Sequence, residues 1–154
     1  MSEYKVDLKW VSESEDFSYK NYSRTHEWKF GGGITVKASA APEYLGKPEF
    51  VNPEEAFIAS LASCHLLTFL AIASYKKFSI KSYEDHAVGT VGKNTDNKLA
   101  VLKVVLRPTV EFTGSLKPSE EDIKKMHDKA HAECFISNSV LSEVSVEPQK
   151  ITVL

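Results

Sequence analysis

The sequence predicts an α+β fold, on three observations. Strand-like alternation comes in runs at both ends of the chain instead of alternating one for one with helices. Only two segments carry helix start signals ahead of apolar residues. The triplet Gly31, Gly32 and Gly33 precedes a strand pattern and not a helix, so the glycine turn that cradles phosphates in nucleotide-binding α/β folds is missing. The 154 residues suit one domain, taken as 1–154, long enough to bury a core without metals or disulfides.

The elements follow in order. Val6, Leu8 and Trp10 alternate with Lys5, Asp7 and Lys9, which predicts a half-buried strand. Tyr22 to Phe30 alternates in the same way, and the glycine triplet then turns the chain back into the Ile34, Val36, Ala38 strand, giving an opening meander. Ala41 to Val51, with Pro42, Gly46 and Pro48, has no period and is expected to be a loop. Asn52 can cap a helix, Pro53 suits its first position, and Glu54 and Glu55 complement the positive end of its dipole, so a helix is placed at 53–76. Ile80 to Gly92 and Leu99 to Thr113 form a long hairpin around the turn residues Asn94, Asp96 and Asn97. Ser119, with Asp122 three residues on, opens a second helix reaching Glu133, whose apolar stripe of Ile123, Met126 and Ala130 continues to Cys134. A polar turn at Ser137 to Ser139 leads to a closing strand that Pro148 interrupts.

Composition narrows the function. Nineteen basic and 21 acidic residues are scattered along the chain for a formal charge of −2, so there is no basic stripe for nucleic acid. Residues 1–10 mix charges with apolar residues and lack the apolar stretch of a secretory signal, which sets the expectation of a cytoplasmic protein. Ala56 to Ala73 is almost long enough and apolar enough to span a membrane, but it contains Ser60, Ser63, His65 and Thr68 and is flanked by polar elements. A helix buried within a soluble protein is expected. Being apolar on nearly every side, that helix needs more cover than one small sheet gives, and a second subunit could supply it. No cofactor motif is present, and the spaced glycines of a serine nucleophile elbow are absent around Ser60 and Ser63.

The cysteines leave three readings open. Cys64, between Leu61 and Leu67 on the first helix, and Cys134, at the end of the second, could be small buried hydrophobes kept reduced by the compartment. They could instead meet where the helices cross and cycle between dithiol and disulfide. The third reading is metal: His127, His131 and Cys134 share one helical face at ligand spacing, though without the second cluster that zinc signatures carry. The plain alternative for His127 and His131 is a partly exposed face among Lys124, Lys125 and Lys129.

Three motifs taken together decide between these readings: Asn52-Pro53-Glu54-Glu55-Ala56-Phe57, then Ser63-Cys64-His65, and far downstream Ala130-His131-Ala132-Glu133-Cys134 with Ser137-Asn138-Ser139 after it. With them the chain resembles the OsmC/Ohr family of osmotically inducible and organic-hydroperoxide-resistance proteins, from about Tyr22 onward. The resemblance implies an OsmC-like fold, a curved antiparallel sheet around two central helices in an intertwined homodimer. It also implies a thiol peroxidase that reduces organic hydroperoxides to alcohols. Cys64 would be the attacking thiol and Cys134 the resolving one, joined after reaction by an intrachain disulfide. Glu54 maps to the family's helix-start glutamate and Arg24 to its early-strand arginine, and a dithiol, such as a lipoyl-bearing protein, would restore the thiols. Glu54 precedes Cys64 by ten residues, about 15 Å along one helix, so the two cannot touch within one chain; either a long arginine bridges the gap or the glutamate comes from a partner subunit across a twofold axis, and a site at a dimer interface is expected. Two features set the chain apart, Phe135 after Cys134 and His65 after Cys64. The apolar neighbours Phe57, Leu61, Leu67 and Phe69 are either pocket lining for a bulky peroxide or plain core. The rival function is a non-enzymatic protein of the same fold that binds a small apolar ligand or senses redox state.

Overall fold

The computed structural model describes residues 1–153. The chain forms two compact units, Met1–Ala56 and the residues from Phe57 onward.

The first unit is the expected meander. Strands β1 (Val6–Lys9), β2 (His26–Phe30) and β3 (Thr35–Ala38) form an antiparallel sheet in that order. Gly33, at φ 86°, makes the turn between β2 and β3, with its N–H donating to Phe30 O at 2.9 Å. Two expectations change here. Strand β1 is exposed at every position, with Leu8 at 66%, so its apolar alternation is uncovered rather than half-buried. The strand pattern from Tyr22 also begins only at His26, because polar groups fold the preceding residues into turns. The Asp16 carboxylate accepts from the Ser18 N–H and the Asn21 amide, and the Arg24 guanidinium donates to the carbonyls of Tyr19 and Tyr22. The loop after β3 holds one 3-10 turn, Pro42–Tyr44. Gly46 lies so close to Ala40 that a Cβ there would come within 1.6 Å of its carbonyl oxygen.

Helix α1 (Pro53–Tyr75) starts and stops where the sequence marks it. The Asn52 side chain accepts from the Glu55 N–H at 2.8 Å, and the Glu55 carboxylate accepts from the Asn52 N–H at 3.2 Å, a reciprocal cap. At the other end Lys77 takes the left-handed conformation while Lys77 N–H and Phe78 N–H donate to Ser74 O and Ala73 O, the Schellman arrangement.

In the second unit the long hairpin is bent. Its first arm divides into β4 (Ser79–Asp85) and β5 (Val88–Lys93), and its second into β6 (Leu99–Leu106) and β7 (Pro108–Thr113). β5 pairs with β6, and β4 with β7, both antiparallel. The bend falls where Pro108 has no N–H to give and where the Arg107 N–H donates to the Asp85 carboxylate at 2.7 Å instead of to a strand. The closing segment divides at Pro148 as expected, into β8 (Glu143–Val146) and β9 (Ile151–Val153), but it lies parallel to its neighbours, β8 on β6 and β9 on β7. Bonds from Glu147 N–H to Leu106 O and Gln149 N–H to Pro108 O, both 2.8 Å, carry the ladder across the proline. The two three-stranded sheets are thus successive halves of three bent strands.

Helix α2 (Glu120–Glu133) has a complete capping box between Ser119 and Asp122. Leu61 of α1 joins Val104 and Leu106 of β6 in one core cluster. Phe69, Ile72 and Ala73 of α1 join Val110 and Phe112 of β7 and Ile123, Met126 and Ala130 of α2 in another. Each fully buried Leu, Ile or Phe among these contributes roughly 1.5–3 kcal/mol through lost apolar exposure. These contacts use one stripe of α1. Leu67, Ala71 and Tyr75 lie outside it, Leu67 at 63% exposure and Tyr75 at 89%, and only 33% of the most apolar stretch of α1 is buried.

Candidate thiol site

Cys64 belongs to the buried stripe of α1, which also includes Leu61, His65 and Phe69 at helical spacing. Cys134 is the C-cap residue of α2, where the chain leaves helical geometry, and it is fully buried. Both are free thiols, and Cys134 lies near enough to Cys64 to act on its ionisation. The two cysteines are thus neighbours in the second unit. The 3-10 turn Ser137–Ser139 follows Cys134 closely, and the Ser137 N–H donates to the Cys134 Sγ at 3.4 Å.

Burial pushes the Cys64 thiol above the usual cysteine range, and the neighbouring Cys134 adds to the rise. The Ile136 N–H and Thr68 pull the other way more weakly. The groups acting on Cys64 here thus keep it as a thiol, whereas a thiolate is the nucleophilic form.

The other two expected residues lie in the first unit. The Arg24 guanidinium stands 3.8 Å from the centre of the Tyr22 ring and donates to the Tyr22 and Tyr19 carbonyls. Glu54, in the first turn of α1, has a buried Oε2 without a hydrogen-bond partner. Among the described residues no ion pair joins Arg24 to Glu54. Of the four apolar neighbours of Cys64, Leu61 and Phe69 are fully buried core, Phe57 is partly buried and Leu67 is exposed.

Sequence reasoning missed a buried histidine pair. His65 Nε2 and His127 Nδ1 lie 3.1 Å apart, with the rings within 5° of parallel and their centres 5.4 Å apart. A nitrogen contact that short at that ring separation means the imidazoles face each other edge to edge in nearly one plane. His127 also lies over the Phe69 ring at 4.2 Å. Burial holds both histidines at about 4, with the charges of His127 and His131 adding to the effect on His65. The expectation of an exposed His127 is thus corrected, since it is 3% exposed. The available signal was the spacing Leu61, His65, Phe69, which puts His65 on the apolar stripe. The described residues hold no group of three or more His, Cys, Asp or Glu side chains placed to share a metal ion.

An α+β protein with two neighbouring buried thiols, one on its first helix and one closing its second, is the class that this fold and site define. Residues 46–149 match the family model for OsmC-like proteins, and the chain belongs to that family. The fold of an OsmC-like protein of unknown function from Vibrio cholerae superposes with a TM-score of 0.94 at 47% identity, covering 97% of this chain and all of that one. An organic hydroperoxide resistance protein from Elizabethkingia anophelis gives a TM-score of 0.72 at 15% identity, over 100% of this chain and 98% of that one. OhrB, an organic hydroperoxide resistance protein of Bacillus subtilis, gives 0.62 at 18% identity, over 99% and 98%. The uncharacterized protein YmaD of Bacillus subtilis is 24% identical over 119 residues, 75% of this chain and 77% of its own length.

Proposed function

We propose that this protein is a cytoplasmic thiol peroxidase acting on organic hydroperoxides as a homodimer. The observation that carries the reading is the pair of neighbouring buried free thiols, Cys64 in the middle of α1 and Cys134 at the end of α2. Membership of a family that includes organic hydroperoxide resistance proteins supports it.

The Cys64 thiolate attacks the outer oxygen of ROOH, the oxygen–oxygen bond breaks, and the departing alkoxide takes a proton to leave as ROH while Cys64 becomes a sulfenic acid. The Cys134 thiol attacks that sulfur and releases water, which leaves an intrachain disulfide. A dithiol reductant, such as a lipoyl protein, then transfers two electrons and two protons to restore both thiols. No cofactor or metal enters these steps.

Attack requires Cys64 to lose the proton that burial holds on it. The reading assigns this to Arg24, whose guanidinium would stabilise the thiolate and the oxyanion formed as the bond breaks, with Glu54 orienting it. Glu54 and Cys64 are too far apart on α1 to meet directly, so Glu54 acts either through a bridging Arg24 or, as proposed, from the second subunit. That subunit would also cover the exposed back of α1.

The test mixes reduced protein with one equivalent of cumene hydroperoxide, counts the remaining thiols, and follows turnover with dihydrolipoamide for the wild type and Cys64→Ser. Loss of both thiols, with turnover absent in the variant, is the expected result. Survival of both thiols would overturn the peroxidase reading and leave a ligand-binding protein of the same fold.

A further inference from the structure

Three aromatic rings in the first unit form a cup that the thiol chemistry does not use. Trp10 and Phe17 meet edge to face with centres 5.7 Å apart, and Phe17 lies 5.0 Å from Tyr22. With Arg24, His26 and Pro53 they line a cavity of about 390 Å³, within the range of small-molecule sites. Phe17 is 65% exposed and Trp10 41%, so these aromatic faces lie open to solvent. The rings sit before residue 46, outside the stretch that matches the family model.

The polar groups of the cup define the ligand. The Trp10 N–H already donates to Ser23 O at 2.7 Å. His26 Nε2 accepts from the Trp28 N–H at 2.8 Å, so its Nδ1 carries the proton and donates to Arg24 O, also at 2.8 Å. Neither ring has a hydrogen-bonding group left for a ligand. Arg24 does: two of its terminal N–H groups serve the Tyr19 and Tyr22 carbonyls and its face lies over the Tyr19 and Tyr22 rings, but its remaining N–H groups are uncommitted. Among the described residues no carboxylate lies within ion-pair distance of this guanidinium. A cup with aromatic walls and one unpaired, delocalised cation complements a flat apolar body carrying one anionic group.

We propose that this cup is a binding site for small planar aromatic carboxylates of one or two fused rings. The ring system lies among Trp10, Phe17 and Tyr22, and the carboxylate takes the free N–H groups of Arg24. The site lies in the first unit and needs neither thiol, but it shares Arg24 with the proposed peroxidase site, so its test reads binding in a protein that cannot turn over.

Calorimetric titration of the full-length Cys64→Ser protein with 2-naphthoate tests this, with 2-naphthylmethanol as the uncharged counterpart. The expected result is saturable binding with a change in tryptophan fluorescence, at least about 10-fold tighter for the carboxylate. Phe17→Ala, at a position too exposed to threaten folding, is expected to weaken 2-naphthoate about fivefold. Arg24→Gln is expected to bring the two ligands to equal affinity. No saturable binding up to millimolar concentration would overturn the proposal. Equal affinities in the parent protein would overturn the anionic ligand, and an unchanged affinity in Phe17→Ala would overturn the location.

Discussion

His65 and His127 make a hydrogen bond in a buried place, and their ionisation then bears on stability. Both fold with values near 4, below the usual histidine value of 6.5. Between those limits the unfolded chain binds protons that the folded chain refuses, so stability is full above pH 6.5 and falls as pH drops toward 4. Two such groups give a slope of up to about 2.7 kcal/mol per pH unit. Urea denaturation at pH 7, 6 and 5 is expected to show this loss, and the His65→Gln/His127→Gln double variant is expected to flatten the slope whatever its absolute stability. An equal slope in the variant would place the acid sensitivity elsewhere. The cysteines were legible as a pair because sequence motifs mark both helix positions. The histidine contact was not, because it joins residues 62 positions apart and depends on the rotation of two helices that spacing leaves undetermined. The surroundings of Arg24 were equally hidden, since carbonyl groups and ring faces carry no signature in a sequence.

Helix ends are local events, and the sequence marked them closely. α1 was expected at 53–76 and spans Pro53–Tyr75, while α2 begins after Ser119 and ends at Glu133 as expected. The Asn52 cap has a definite energy: Asn52→Ala is expected to cost about 1 kcal/mol, read as a lower urea midpoint at unchanged slope. No change would mean that tertiary contacts alone fix this helix start. The long strands were less legible. Their apolar alternation runs through the bends at residues 86–87 and 107, because a residue can keep its face of the pleat while the ladder changes partner. The parallel placement of β8 and β9 depends on where the chain returns after α2, which no local pattern records. Pro148 did mark the break between them, since it lacks the donor a continuous strand needs.

At the scale of the molecule the deciding feature is the back of α1. A helix apolar on every side was expected to need cover beyond one sheet, and two-thirds of its most apolar stretch stays unburied within this chain. β1, with Val6 and Leu8 exposed, is a second uncovered apolar surface. Patches of this kind mark association surfaces, and a second copy of the chain is the partner that the proposed site invokes. Leu67 tests this directly. At 63% exposure it contributes little to the fold of one chain, so Leu67→Glu is expected to shift stability by no more than about 0.5 kcal/mol if the chain acts alone. If the helix backs against its counterpart across a twofold axis, the same change places two like charges in an apolar interface. Sedimentation equilibrium at micromolar concentration is then expected to show a dimer for the wild type and a monomer for Leu67→Glu. Peroxide consumption should fall with the dimer, because the monomer keeps both thiols but loses whatever the second subunit supplies. A variant that stays dimeric would free this face of α1 from the interface. A wild type that is monomeric and fully active would remove the second subunit from the mechanism and return the problem of ionising Cys64 to a single chain.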